Sequence, residues 1–169
     1  MRNLILVGFM GTGKSTVGKL LADRLKRPFI DLDRMIEKSA GKTVAEIFSE
    51  QGEEKFRQLE TEAVRKVVKK TNAVIATGGG VLLKEENVRL LKNSGTLVCL
   101  TAGIDQILKR IGSGKHQRPL LAGEDPRRRI EQLLSQRASC YAQADWTISS
   151  DGLTVKQTAD RIKKELNQS

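Results

Sequence analysis

The sequence predicts an α/β fold in which helices cover both faces of a parallel sheet. Three observations carry that prediction. Short apolar runs recur at 4–7, 29–33, 73–76, 96–100 and 146–148, with the length of buried strands rather than helices. Stretches with apolar residues at helical spacing separate them. Gly, Pro and Asp mark the junctions, and no repeat or low-complexity linker interrupts the 169 residues. At that length 1–169 reads as one domain, burying roughly 70% of the surface its unfolded chain exposes.

Leu4-Ile5-Leu6-Val7 is the first strand and runs into the Gly8–Gly13 turn. Residues 15–26 read as a helix, with Val17, Leu20, Leu21 and Leu25 on one face and Pro28 beyond its end. Phe29–Asp33 is a second strand that releases two carboxylates, Asp31 and Asp33. Two residues apart on a strand, they are expected to point the same way. Helical patterns follow over 34–39, 44–51 and 53–70, the last carrying Phe56, Leu59, Ala63, Val64 and Val67. Ala73–Ala76 is a third strand, ending in Thr77-Gly78-Gly79-Gly80. A helix over 84–93 leads to the fourth strand, 96–100, and a helix over 104–110 opens into a Gly- and basic-rich stretch, 111–125. Asp125-Pro126 supplies an N-cap and a first-turn proline for a helix over 126–142. Trp146–Ile148 is the fifth strand, and 154–166 the last helix.

Lys and Arg total 30 against 20 Asp and Glu, a net charge of +10 and an affinity for anions. Seven basic and two acidic residues fall between Lys109 and Arg129, so that segment carries half of the excess. Aromatic residues are only 4% and do not interleave with the basic ones, which argues against a surface that stacks single-stranded bases. The segment reads as an anion clamp, with no nucleic-acid partner. No window approaches the ~18 consecutive apolar residues of a membrane helix. The N-terminal apolar stretch is short and runs into Gly and Lys rather than a cleavage site. Two cysteines, Cys99 and Cys140, imply no disulfide framework. The expectation is a soluble cytoplasmic protein with no membrane partner.

Gly8-Phe-Met-Gly11-Thr12-Gly13-Lys14-Ser15 matches the phosphate-loop pattern and sits where it must, after a strand and before a helix. Backbone N–H groups of Gly11, Thr12 and Gly13 can turn inward around phosphate oxygens, a concavity that side chains would fill. The helix start adds its positive dipole end. Lys14 can reach the β- and γ-phosphates, and the Ser15 hydroxyl can ligate Mg²⁺. Thr16 is either an ordinary first-turn residue or an α-phosphate contact. The N/T-K-x-D motif of switch GTPases is missing, and so is a strand ending in a Walker-B aspartate. Size and these absences favour a kinase that passes a phosphoryl group from ATP to a small acceptor.

On the acceptor side, Asp31 and Asp33 can take a hydroxyl proton or hold a metal-bound water, or else form a solvated turn. Arg57 adjoins the apolar stripe of its helix, and Arg137 lies beside Leu133 and Leu134. Either sits at a core edge rather than far out in water, or is a routine solvated arginine. Gly78-Gly79-Gly80 permits a ligand close to the backbone, or merely links strand to helix. Arg118, on the Gly-flanked basic segment, is placed to close over phosphates unless that loop is simply disordered. His116 beside it reads as solvated.

Together G-F-M-G-T-G-K-S-T at 8–16, D-L-D at 31–33, G-E-x-x-F-R-x-x-E from Gly52 to Glu60, T-G-G-G at 77–80, R-P-L-L at 118–121 and R-x-x-x-Y from Arg137 to Tyr141 resemble the shikimate kinase family over almost the whole chain. The resemblance implies a monomeric, nucleoside-monophosphate-kinase-like P-loop fold: a three-layer α/β/α architecture with a five-stranded parallel sheet in the order 2-3-1-4-5. It implies transfer from MgATP to the 3-hydroxyl of shikimate, giving ADP and shikimate 3-phosphate on the route to chorismate. It also implies a lid over about 111–125 and a shikimate-binding helical region over about 33–60. Residue by residue, Asp33 would bind and help deprotonate the hydroxyl. Arg57 and Arg137 would hold the carboxylate, and Gly79 and Gly80 would add backbone contacts. Lys14 and Arg118 would neutralise the moving phosphoryl, and Ser15 would ligate Mg²⁺ with Asp31 assisting through water. Arg110 would stack on adenine, and the adenine loop falls at Ser149–Leu153.

Two competing readings arise from the same residues. A sister kinase of this fold acting on a sugar acid such as gluconate shares the P-loop, but is not expected to combine D-L-D, F-R and R-P-L-L. A silent P-loop protein whose basic segment binds nucleic acid explains the charge, yet leaves Asp33, Arg57 and Arg137 as coincidences.

Overall fold

A computed structural model describes residues 2–112, 119–121 and 125–168. Its elements are β1 (Asn3–Val7), α1 (Lys14–Leu25), β2 (Phe29–Asp31), α2 (Leu32–Ala40), α3 (Val44–Val67), β3 (Val74–Ala76), α4 (Glu85–Ser94), β4 (Gly95–Thr101), α5 (Ile104–Gly112), α6 (Pro126–Tyr141), β5 (Trp146–Ser149) and α7 (Val155–Leu166). The five strands form one sheet in the order β2-β3-β1-β4-β5, every neighbouring pair parallel. This is the sheet that the resemblance implies.

Strand composition follows from position in that sheet. β1 and β3 are buried at every residue and apolar throughout except at Asn3, whose amide bonds to the backbone of Lys70 and Ala73. β2 and β5 are the edges and are only partly buried. Alternate residues of β1 feed opposite layers. Ile5 and Val7 join Ile75, Leu97 and Cys99 beneath α2, α3 and α4, packing on Leu32, Ile47, Val64 and Leu91. Leu4 and Leu6 join Val74, Val98 and Leu100 against α1 and α7, through Val17, Leu21, Ala159 and Ile162. A third cluster, around Phe9, Ile107, Ile130 and Leu133, ties α5 and α6 to the loop after β1.

The ends of these helices follow local chemistry. Asp125 accepts from the Arg127 N–H with Pro126 opening α6, as its sequence predicts. Thr43 and Thr154 form reciprocal capping boxes with Glu46 and Gln157. α3 is broken at Gly52, whose backbone (φ 78°, ψ 172°) is non-helical. The two helical patterns at 44–51 and 53–70 therefore stand as separate segments, with the second ending at Val67.

One expectation fails. β2 stops at Asp31, and Asp33 lies in the first turn of α2 rather than on a strand end beside its partner. The cause is Asp31 itself: its carboxylate accepts from the Arg34 N–H at 3.3 Å and caps a helix that starts at Leu32.

Candidate active site

The site lies along the carboxyl edge of the sheet, where ligands bind in parallel α/β folds. After β1 the chain passes through Gly8, Gly11 and Gly13 at φ of 128°, 76° and 97°, values that favour glycine. A Cβ on Gly8 would also fall 2.2 Å from the Leu100 carbonyl oxygen, so the loop is pressed onto β4. Gly13 is the N-cap of α1, which aims the N–H groups of the first turn into the loop. Lys14, 8% exposed, donates from Nζ to the carbonyls of Gly8 (2.8 Å) and Phe9 (2.7 Å), and Thr12 Oγ1 donates to Phe9 at 2.8 Å. The lysine ammonium is thus fixed over the mouth of the loop.

Ser15 Oγ donates to Asp31 Oδ2 at 2.7 Å, which joins the P-loop to the end of β2. On the opposite flank Arg110 NH1 donates to the Gly11 carbonyl (3.0 Å) and to Ser150 Oγ (3.1 Å). Ser150, 2% exposed, also lies 3.3 Å from the Thr12 carbonyl. Arg110 and the segment after β5 therefore brace the loop from the β4–β5 side.

Asp33 meets Glu60 across Gly78. A Cβ on that glycine would stand 2.8 Å from Asp33 Oδ1 and 2.9 Å from Glu60 Oε1. Glu60 is 1% exposed and accepts from Arg57 NH1 at 2.8 Å, and Arg57 NH2 reaches Glu53 Oε1 at 3.0 Å. Burial pulls the Arg57 guanidinium down, but Glu60 and Glu53 outweigh it and hold it above its usual value, charged. Burial pushes the Glu60 carboxyl up, against the pull of Arg57, and neighbouring Asp33 adds to the rise. The Arg57 side chain is 16% exposed and its guanidinium stands over the Phe56 ring, 5.3 Å from the centroid. A Cβ on Gly80 would come within 2.5 Å of that guanidinium, so a larger residue there would displace Arg57 from its position.

Arg137 is 4% exposed, not a solvated helix arginine. Its guanidinium lies 5.8 Å from the centroid of Phe9 and donates to the Gly79 carbonyl at 3.3 Å. Tyr141 Oη donates to the same carbonyl at 2.6 Å.

Two cavities occupy this edge. One, of ≈ 420 Å³, is lined by the P-loop, Arg110, Ser150 and Leu153. The other, of ≈ 780 Å³, reaches Asp31, Arg57, Glu60, Gly80 and Arg137. They share Met10, Ser15, Thr16, Asp33, Gly78 and Gly79, so Asp33 stands where they meet. The structure thus brings together Gly11–Thr16, Asp31, Asp33, Arg57, Gly79, Gly80, Arg110 and Arg137. Arg118, like His116 and most of 111–125, lies outside the described residues. Sequence reasoning gives no role to Glu60, Glu53 or Tyr141. An acidic residue three or four positions from Arg57 on one helix is the available signal for the first two.

A phosphate loop alone leaves the acceptor open, and comparison with known proteins closes that choice. The family model for shikimate kinase matches residues 10–167. The chain is 46% identical to the shikimate kinase of Thermodesulfovibrio yellowstonii, over 98% of this chain and 95% of that one. It is 48% identical to that of Caldanaerobacter subterraneus subsp. tengcongensis, over 96% and 94%. Its structure matches the shikimate kinase of Acinetobacter baumannii in complex with shikimate, with a TM-score of 0.95 and 36% identity over 99% and 94% of the chains. For the shikimate kinase of Aquifex aeolicus the TM-score is 0.82, at 33% identity over 98% and 96%. With a family model across the P-loop and both cavities, and with relatives matched end to end, the chain belongs to the shikimate kinase family, and its reaction is the ATP-dependent phosphorylation of shikimate.

Proposed function

We propose that the transfer to the shikimate 3-hydroxyl takes place at Asp33, with ATP in the smaller cavity and shikimate in the larger. The observation that carries this reading is the meeting of the two cavities at Asp33, with phosphate-binding groups on one side and two arginines on the other. Gly11–Thr16 hold the phosphates through backbone N–H groups and the α1 N-terminus. Arg57 and Arg137 fork onto the shikimate carboxylate, and Gly79 and Gly80 pack against its ring through backbone alone. Asp33 accepts the proton of the hydroxyl as its oxygen bonds to the γ-phosphorus and ADP departs. Lys14, and Arg118 from a lid over 111–125, neutralise charge on the moving phosphoryl group. Arg110 stacks on adenine beside the Ser149–Leu153 segment.

The Ser15 hydroxyl and the Asp31 carboxylate, 2.7 Å apart, make an oxygen-only donor set suited to a hard cation. Mg²⁺ held by Ser15, with Asp31 acting through water, would neutralise phosphate charge there. The same reading has one domain over 1–169, its 33–60 region on the acceptor, working as a monomer in the cytoplasm. No described helix is long and apolar enough to cross a membrane.

The test is ADP release from MgATP with shikimate, with gluconate or with no acceptor. Release that depends on shikimate and is lost in Asp33→Asn is expected. Full activity in that variant would remove Asp33 as the base.

A further inference from the structure

We infer that Tyr141 is a positioning residue for phosphoryl transfer, acting through the Gly79 carbonyl to set the backbone of the acceptor pocket. The inference rests on the reading of Gly79 and Gly80 as part of that pocket. Tyr141 ends α6, and its hydroxyl donates to Gly79 O at 2.6 Å, the shorter of the two bonds that carbonyl accepts. The other comes from Arg137, one turn earlier on the same helix, at 3.3 Å. A trans peptide is planar, so the carbonyl of one residue and the N–H of the next point in opposite directions. No peptide in the described chain is cis. Two donors that fix the Gly79 carbonyl towards α6 therefore fix the Gly80 N–H on the opposite side of the same plane.

Precision matters at this turn because both of its neighbours are close. A Cβ on Gly79 would sit 3.3 Å from the Met10 nitrogen, so the turn lies against the P-loop backbone. Gly80 lies against the Arg57 guanidinium. Rotation of this peptide would alter the spacing between P-loop and acceptor turn, and between that turn and Arg57. Glycine has no side chain with which to hold its own peptide plane. The tyrosine supplies that restraint from outside, and it also leaves Arg137 sharing rather than solely bearing the Gly79 contact.

Tyr141→Phe keeps the ring in its apolar surroundings and removes only the donor. The expected result is a shikimate Kd weaker by ~5-fold, the worth of one ordinary hydrogen bond, with a lower kcat and an unchanged KM for ATP. Ser94→Ala, which loses a comparable hydroxyl-to-carbonyl bond at the other edge of the sheet, should leave all three values as they were. Tyr141→Phe indistinguishable from the parent, or matched by Ser94→Ala, overturns the inference. So does an equal loss of ATP and shikimate affinity. Arg57→Ala measured alongside separates the two levels: if it too binds shikimate normally, the acceptor pocket itself is misplaced. If it binds shikimate weakly while Tyr141→Phe does not, only the positioning role fails.

Discussion

At the scale of single residues, Tyr141 and Arg57 are held at this site by specific hydrogen-bond partners, and changes around them have a readable direction. Tyr141 is the only tyrosine of the chain, so its titration is observable without assignment. Burial pushes its phenol up to about 12, only partly offset by Arg137. Because the folded value lies above the unfolded value of about 10, the preference for the neutral phenol adds stability below pH ~10 and loses it as pH climbs towards 12. Phenolate absorbance should therefore appear near pH 12 in the native protein and near 10 in urea. A native transition at the unfolded position would show that the hydroxyl is solvated and not bonded to Gly79. Gly80 gives a steric counterpart. Adding one methyl there places carbon 2.5 Å from the Arg57 guanidinium, which Glu60 and Glu53 already hold. Gly80→Ala should weaken shikimate binding roughly ten- to a hundredfold, the range for losing a hydrogen bond to a charged group. ADP affinity, measured by calorimetry, should stay within error of the parent.

At the scale of elements, the sequence is most legible where one local rule acts alone. The P-loop is read from glycine and lysine spacing, and α6 from Asp125-Pro126. Asp33 is misplaced from sequence because two rules compete over Phe29–Asp33: an apolar run suggests strand, while Asp31 is also a helix N-cap. The cap wins, and it puts Asp33 on a helix turn facing Gly78. Burial of Arg137 is not legible, since an arginine three or four residues from leucines on a helix looks the same whether its face meets solvent or Phe9. The break in α3 is legible through Gly52, and its energetics can be tested. A Cβ at Gly52 would meet nothing within 4 Å, so only the backbone conformation opposes substitution. The φ 78°, ψ 172° region is almost confined to glycine, and Gly52→Ala should cost ~1–3 kcal/mol in urea unfolding. No loss would mean that α3 re-forms as a continuous helix, and shikimate affinity would then shift with it because Arg57 lies shortly beyond the break.

At the scale of the whole molecule, strand order divides the labour. β1 is central and delivers the phosphate loop, with β3 and β2 on one side and β4 and β5 on the other. The carboxyl ends of β2 and β3 deliver Asp31, Asp33 and the glycine turn, backed by Arg57 on α3. Beyond β4 and β5 come Arg110 on α5 and Ser150, both bonded to the P-loop. On the proposed reading, acceptor recognition and nucleoside recognition lie on opposite flanks of one loop. A defect on one flank should then stay there. Arg57→Ala is expected to weaken shikimate binding roughly ten- to a hundredfold while leaving ADP binding unchanged. Arg110→Ala removes the bonds to Gly11 and Ser150 and is expected to weaken ADP binding with shikimate affinity intact. The double variant should show the sum of the two losses in free energy, since sites without shared partners behave independently. Calorimetric titration of both ligands against the three variants decides it. If either single variant lowers both affinities alike, the P-loop transmits strain between its flanks, and the two cavities act as one cooperative site.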